Sequence, residues 1–258
     1  MLCGLCIRPL RGKLARDVPV GTFLNVAMIL AGGVGGKLMR RPPSPSTQVR
    51  LKALLGLFTV LLGLHVAVSG LRGGFGRALA CLGVAILALM VGRIVGRLLR
   101  LQHRLNAIGH AAGHRLESVN QGAIPRPDDG FKVAVILFCA APLSVIGAVQ
   151  DGLNSNPFPL LLKAVMDGLV ALSLIRSFGW STLLGAVPMA AWQVCWFTTA
   201  AWCRPWFETH GLVDLLNVVC GLLIFCVSLL LFAIRRVAVG DYLPSLLIAP
   251  LLGWWLLR

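Results

Sequence analysis

Long apolar segments, separated by short basic connectors, restrict the folds that this chain can adopt. A helix needs about 20 apolar residues to cross the hydrocarbon of a bilayer. Lipid cannot hydrogen-bond exposed backbone groups, and the segments are too long and uniform for alternating barrel strands. The sequence therefore predicts an all-α, polytopic membrane protein with about eight transmembrane helices, or six to seven if short segments are re-entrant. The segments lie at about 21–39, 52–71, 75–99, 131–150, 158–178, 180–202, 212–234 and 241–257.

The charge is strongly basic, with 24 lysines and arginines against nine acids and a formal net charge of +15. The basic residues lie between the apolar segments, so the positive-inside rule explains them and nucleic-acid binding is not expected. The first, third and seventh connectors are the basic ones, which predicts that they are cytoplasmic and that both termini are outside. The basic N-terminal tail, with Arg72 and Arg77 in the second connector, argues for the opposite orientation.

The domain organisation is predicted from composition and from a weak internal similarity. Residues 54–73 and 218–237 align with Gly56 on Gly221. This similarity predicts an inverted repeat of helices 1–3 and 6–8, an architecture of many secondary transporters, although apolar helices also resemble each other by chance. The predicted parts are a basic N-terminal extension (1–20) and one transmembrane domain (21–258), comprising a first repeat half (21–99), a basic cytoplasmic connector (100–130), a central polar hairpin (131–178) and a second repeat half (180–257).

Four arginines at helical spacing follow the third apolar segment. Arg93, Arg97, Arg100 and Arg104 form one basic stripe if the segment is a continuous helix. Such a stripe beside an apolar face is typical of a helix that leaves the membrane and lies at an anionic interface. We therefore expect contacts with the lipid bilayer and with anionic lipid headgroups at the Arg93–Arg104 stripe.

The sequence predicts no metal site, no cofactor and no enzyme. His110 and His114 are four residues apart, but two histidines in a connector are usually solvated. Cys3 and Cys6 form a CxxC in a short tail without further ligands. Neither an HExxH nor a GxSxG motif occurs, and nothing else supports hydrolysis.

The stretch from Gly147 to Leu172 carries the best candidate site. Asp167 lies in the middle of an apolar segment, where a charge costs about 2.5–3.5 kcal/mol on insertion scales, and such groups usually face a bundle interior or a cavity. Lys163 is four residues earlier on the same helical face, and Asp151 lies near the outer end of the preceding segment. The residues form either a structural ion pair of Lys163 with Asp167 or a site for a cation, a proton or a charged substrate.

Other polar residues within apolar segments are candidates for the same ion or substrate site. They are Asn25, Gln150, Gln193 and Asp241, and Asn217 also lies early in its segment. Pro188 and Pro244 are expected to interrupt helical hydrogen bonding and to free carbonyl groups. The glycines of 31–36 and the pair Gly92 and Gly96 predict close helix packing.

These motifs resemble a family of bacterial integral membrane proteins, the YqgA/YdfK-like group or domain of unknown function 554. The matching pieces span about 21–253. They are Gly21-Thr22-x-x-Asn25, Phe138-Cys139, Gly147-x-x-Gln150-Asp151-Gly152, Lys163-x-x-x-Asp167-Gly168, Pro188 with Gln193, Gly221-Leu-Leu-Ile224, Leu243-Pro244 and Ala249-Pro250.

The resemblance implies a multi-pass protein of the bacterial inner membrane and supplies no substrate. This chain departs from the family pattern at Arg97, Arg100 and Gln102, where the family has acids, at Cys220, where it has glycine, and at Asp241, where it has asparagine. We expect a transporter or channel-like protein for an ion or small solute, and the alternative is a non-transporting membrane scaffold or sensor.

Overall fold

The computed structural model describes residues 18–39, 44–71, 74–122, 124, 126, 128–232, 234 and 237–256, and their secondary structure is helical throughout. The helices are α1 Val20–Leu38, α2 Pro45–Ser69, α3 Phe75–Leu98, α4 Leu101–Asn120, α5 Asp129–Cys139, α6 Pro142–Asn154, α7 Phe158–Phe178, a 3-10 helix Gly179–Gly185, α8 Ala186–Thr209, α9 Val213–Leu231, α10 Val239–Tyr242 and α11 Ser245–Leu256. The N-terminal tail with Cys3 and Cys6, and Arg72, lie outside the described residues.

Among the described residues, six elements are long and apolar enough to cross a bilayer, or seven if a bent pair of helices is one span. The bent pair is α5 with α6. The longest element runs through α7, the 3-10 helix and α8 and has 52 residues. A straight helix of that length would be about 78 Å long, more than twice the ~30 Å hydrocarbon core. Instead, α7 ends at Gly179, whose φ of +75° is a backbone conformation that glycine adopts easily.

The fourth apolar segment is not the continuous helix that we predicted over 131–150. It is broken after Cys139, and α5 and α6 meet at an angle of 58°. Pro142 explains the break, because its ring supplies no N–H and clashes with the carbonyl of residue i−4. Proline is favourable at the first position of the new helix. The segment therefore consists of two short helices, Asp129–Cys139 and Pro142–Asn154.

Two other prolines have different outcomes. Pro244 lies between α10 and α11 and interrupts the last segment, as predicted. Pro188 lies in the first turn of α8, where no intrahelical bond is lost, so the predicted interruption at Pro188 is wrong.

Helix α1 runs in the same direction as α7. Gly21 near the start of α1 lies against Leu160, and Gly36 near its end lies against Leu172. A Cβ at Gly36 would collide with the backbone carbonyl of Leu172, so the glycine is required for this approach. The two helices thus pack closely along most of their length.

Helix α8 runs in the same direction as α5 and α6. Gly185, just before α8, lies against Ala134 in α5, and Gly152 near the end of α6 lies against Ala200 in α8. Since α6 and α7 form a tight antiparallel hairpin, α7 and α8 run in opposite directions.

The remaining contacts confirm the predicted role of the small residues. Gly92 and Gly96 lie against Ser245 and Asp241, which brings α3 onto α10 and α11. The buried apolar side chains of the described residues form two cores. One lies mainly among α3, α6, α9 and α11, and the other among α1, α5, α7 and the start of α8.

Helix α4 lies across one end of the bundle, which we call the basic end. It is attached at its start to Asp241 and near its finish to Asp129, and Ser177 of α7 donates a hydrogen bond to Asn120 at 2.7 Å. Arg100 adopts a left-handed conformation with φ of 53° and separates α3 from α4. The Arg93–Arg104 stripe is therefore split between two helices, and the prediction that one helix carries it is wrong.

Candidate functional site

A buried ion pair lies in the middle of α7. The Lys163 ammonium is paired with the carboxylate of Asp167 one helical turn later. Lys163 is 1% exposed and Asp167 is 5% exposed, so neither side chain reaches the molecular surface. Burying two charges is costly unless further hydrogen bonds satisfy them. The pair predicted from the i, i+4 spacing is therefore present, and its surroundings decide what it can do.

Asn25 of α1 supplies one of these further hydrogen bonds. Its Nδ2 donates to Asp167 Oδ2 at 3.0 Å and lies 3.4 Å from the Sδ of Met189 in α8. The contact joins residues that are 142 positions apart in the chain. The close packing of α1 on α7 brings them together.

The break in the fourth segment lies beside the ion pair. Cys139, the last residue of α5, is close enough to Lys163 and Asp167 to interact electrostatically with both. Because Pro142 has no N–H, the carbonyl of Phe138 lacks its usual helical donor. The break thus frees a backbone carbonyl in a segment that packs near the ion pair, and transporters use discontinuous helices of this kind for binding.

Gln193 approaches the break from α8. Its Nε2 donates to the hydroxyl of Ser144 at 3.1 Å, in the first turn of α6. Met189 lies one turn before Gln193 on the same face of α8 and also contacts Asn25. The structure thus places Gln193 beside the cluster of Asn25, Lys163 and Asp167.

Asp151 does not join this cluster. Its Oδ2 accepts a hydrogen bond at 2.9 Å from the backbone N–H of Gly21, in the first turn of α1. A carboxylate is favourable at this position, because the first helical N–H groups lack partners and carry partial positive charge. Arg204 of α8 is near enough to interact electrostatically with Asp151 and donates to the carbonyl of Gly152.

Gln150 belongs to a separate amide network towards the end opposite α4. Its Nε2 donates to Asn217 Oδ1 at 3.2 Å, and Asn154 donates to both residues. Asn217 is therefore a partner of Gln150 and not a ligand of the Asp167 cluster. The network fixes the start of α9 to the end of α6.

Asp241 lies at the basic end and has a capping role. Its Oδ1 accepts from the backbone N–H of Gln102 at 2.8 Å, while Gln102 Oε1 accepts from the N–H of Gly240 at 2.8 Å. Each side chain thus accepts a hydrogen bond from a backbone N–H in the first turn of the helix that carries the other residue, where N–H groups lack intrahelical partners. The structure does not bring Asp241 near Asp167.

Comparison with known proteins agrees with a membrane protein. The family described as "Protein of unknown function (DUF554)" matches residues 20–254. The chain belongs to DUF554. It is 27% identical over 230 residues to "Uncharacterized membrane protein YdfK" of Bacillus subtilis (strain 168), covering 89% of this chain and 93% of that protein. It is 26% identical over 238 residues to "Uncharacterized protein YqgA" of Escherichia coli (strain K12), covering 92% and 97%. No solved structure matches.

This DUF554 protein is thus a multi-pass membrane protein in contact with the lipid bilayer. Its helices expose many large apolar side chains, as lipid-facing surfaces do. Within the described residues, no group of three or more histidines, cysteines or acids is placed to hold a metal ion. His110 and His114 lie on the exposed side of α4.

Two grooves of the DUF554 protein lie along α4. The first, of about 460 Å³, is lined by α4 alone, including His110 and His114. The second, of about 420 Å³, runs between α4 and the residues before α10 and is also lined by Pro142. The second groove therefore connects the basic end with the break in the fourth segment.

Sequence reasoning missed three contributors to this region, namely Pro142, Ser144 and Met189. Pro142 carried a usable signal, because a proline within a predicted membrane helix interrupts backbone hydrogen bonding. Ser144 and Met189 carried none, because a serine and a methionine are ordinary inside a membrane helix and their partners lie on other helices.

Proposed function

We propose that this protein is a transporter or channel-like protein of the bacterial inner membrane that moves an ion or small solute. The observation that carries the proposal is the buried Lys163–Asp167 pair beside the broken α5–α6 segment. A charge in the membrane interior is expensive and usually marks an ion or substrate path. A helix interrupted near such a charge supplies free backbone groups for binding.

The proposed topology has eight crossings. The fourth crossing is α5 with α6, the fifth is α7 and the sixth is α8, because α7 and α8 run in opposite directions and have 21 and 24 residues. The end that carries α4 also carries Lys37, Arg97 and Arg176 near helix ends. The positive-inside rule then makes the basic end cytoplasmic and places both termini outside.

An inverted repeat of helices 1–3 and 6–8 is part of the proposal. Under that symmetry, the pair α1 and α7 corresponds to the pair α8 and α6, and the helices of both pairs run in the same direction. Gly168 follows Asp167 and lies against Met28 in α1, while Gly152 follows Asp151 and lies against Phe197 in α8. In both Asp-Gly pairs the glycine therefore lies against a backbone carbonyl of the parallel partner helix, which supports the repeat.

The test is flux into vesicles that contain the purified protein. We expect uptake of ²²Na⁺, of ⁸⁶Rb⁺ or of protons, the last followed by a pH-sensitive dye, and we expect Asp167→Asn to abolish it. Asp241→Asn is the matched control, because Asp241 is also a buried aspartate but serves as a cap at the basic end. It should retain flux.

A folding control accompanies this test. Asp167→Asn leaves Lys163 without its carboxylate, so the unfolding temperature and the size-exclusion profile of each variant are measured first. The variant Lys163→Gln/Asp167→Asn removes both charges and should fold normally without restoring flux. Flux of a probe at the wild-type rate in this double variant would refute a transport role for the pair.

A second candidate function is a non-transporting scaffold or sensor. Asp151 caps the start of α1, and Asp241 caps the start of α4. Helix α4 is also held near its finish by Asp129. These contacts suit a rigid platform, with Arg97, Arg100 and Arg104 exposed towards anionic lipid headgroups. Co-purification of a specific partner, without flux of any of the three probes, would favour this function.

A further inference from the structure

The cluster around Asp167 leaves an acceptor without a hydrogen-bond partner. A carboxylate only accepts hydrogen bonds, so Asn25 must turn its Nδ2 towards Asp167, and its Oδ1 points elsewhere. That oxygen has no partner although Asn25 is fully buried. Buried polar groups are nearly always paired, so this oxygen indicates a ligand or a second arrangement of the cluster.

A second unpartnered oxygen lies nearby. Gln193 is fully buried, its Nε2 bonds to Ser144, and its Oε1 has no partner. Met189 contacts Asn25 and lies one turn before Gln193 on the same face of α8, which places the two amides in the same region. In the described part of the chain, the other such buried side-chain atoms are three hydroxyls and the indole N–H of Trp196.

The side chains that could bind a ligand here therefore offer oxygen acceptors, and together they carry a single negative charge. Asp167 provides the carboxylate, and Asn25 and Gln193 provide the unpartnered amide oxygens. Hard cations prefer such oxygen ligands. With one carboxylate, the set balances a single positive charge, and the described residues contain no cluster suited to a multivalent metal.

We propose that Asp167 and Asn25 bind a monovalent alkali cation, and that Lys163 is a tethered cation that this ion displaces. The ammonium of Lys163 satisfies Asp167 when the ion is absent. When the ion binds, the Asn25 amide rotates so that its Oδ1 and the Asp167 carboxylate coordinate the ion, and Lys163 moves towards the break. This inference rests on the proposed transport function and names its substrate class.

An anion fits the same place poorly. The first turn of α6 and Lys163 are both positive, but Lys163 is already neutralised by Asp167. The two unpartnered amide oxygens would repel an anion. The groove that reaches Pro142 gives a route from the basic end, where a cation could enter when the cluster opens.

The experiment measures the unfolding temperature of the purified full-length protein in NaCl, KCl or choline chloride at equal ionic strength and pH. In Lys163→Gln, Asp167 loses its tethered partner and depends on the ion. We expect NaCl or KCl to raise the unfolding temperature of this variant by about 5 °C or more over choline chloride. The half-effective salt concentration should be about ten-fold lower than in wild type, because the competitor is gone.

Lys132→Gln is the matched control. Lys132 also forms an ion pair with an aspartate four residues away, Asp128, but both side chains are exposed at the basic end. This variant should respond to the three salts as wild type does. The variant Lys163→Gln/Asp167→Asn should lose the difference between alkali and choline salts.

Several outcomes would overturn the inference. They are equal unfolding temperatures of Lys163→Gln in all three salts, or a rescue of that variant by lower pH with no effect of Na⁺ or K⁺. If Lys163→Gln does not fold in any salt, the inference is tested instead by measuring the binding of ²²Na⁺ or ⁸⁶Rb⁺ to wild type and to Lys163→Gln/Asp167→Asn. Binding lost in the double variant supports the site, and equal or absent binding overturns it.

Vesicle flux separates this inference from the transport proposal. Cation binding at Asp167 without flux of ²²Na⁺, ⁸⁶Rb⁺ or protons would keep the site and refute transport. Proton flux that needs Asp167 but is unaffected by replacing Na⁺ and K⁺ with choline would keep transport and overturn the cation site.

Discussion

At the scale of single residues, the retained charge of Lys163 and Asp167 is the feature that most needs a physical reason. Replacing a buried ion pair by apolar residues of similar volume is often neutral or stabilising by about 1–4 kcal/mol, whereas removing one partner costs about 3–5 kcal/mol. Stability is therefore a weak reason to keep this pair in the membrane interior. A role that uses the charge explains it better.

Glycine packing gives a prediction at the same scale. A Cβ at Gly32 would collide with the backbone of Gly168, which cannot move aside, whereas Gly35 has nothing within 4 Å. We expect Gly32→Ala to destabilise the protein by about 1–3 kcal/mol and Gly35→Ala to be neutral or stabilising. Thermal unfolding of both variants in detergent checks this. Equal unfolding temperatures would contradict the close approach of α1 and α7.

At the scale of elements, the sequence predicted helices well and their interruptions poorly. Apolar length located α1, α3 and α7 closely because each must bridge the same hydrocarbon thickness. The stop at Gly179 was predicted, because the apolar segments 158–178 and 180–202 were separated there. The break at Pro142 depends on a single residue within a long apolar run. Apolar length alone is insensitive to such a break. The left-handed turn at Arg100 was missed for the same reason, since the arginine spacing favours one helix.

The attachment of α4 gives a prediction at this scale. Asp241→Ala removes the acceptor for the backbone N–H of Gln102, so the first turn of α4 should fray. The expected cost is about 0.5–2 kcal/mol, and amide hydrogen exchange over 101–106 should accelerate. Glu117→Ala is the control, because this exposed carboxylate on α4 accepts only a long 3.4 Å bond from Gln121. Unchanged exchange in Asp241→Ala would show that the link does not hold α4.

At the scale of the whole molecule, long-range contacts determine which candidate residues meet. The i, i+4 spacing revealed Lys163 and Asp167, because both lie on one helix. The meeting of Asn25 with Asp167 depends on the parallel packing of α1 on α7. The separate places of Asp151, Gln150 and Asp241 likewise depend on helix arrangement. Their polarity within apolar segments identified these residues as unusual, but it could not predict which of them lie together in the folded protein.

The topology gives a prediction at this scale. Two crossings within 158–209 put residues 156 and 211 on the same side of the membrane and residue 181 on the other. Alkaline phosphatase fused after Asn156 or Gly211 should be active, and green fluorescent protein fused after Ser181 should fluoresce. Opposite locations for the fusions after Asn156 and Gly211 would indicate a single crossing and refute the eight-crossing topology.

The central claim is that the region around Lys163 and Asp167 opens to water and is not a sealed structural pair. Ser144, which is fully buried and two residues after the groove-lining Pro142, tests it. In a chain whose eight cysteines are replaced by alanine, Ser144→Cys should react with a membrane-impermeant thiol reagent in inside-out vesicles. Ala171→Cys, also fully buried but within the second apolar core, should not react. Absence of labelling at Ser144→Cys from either side of the membrane would contradict the account.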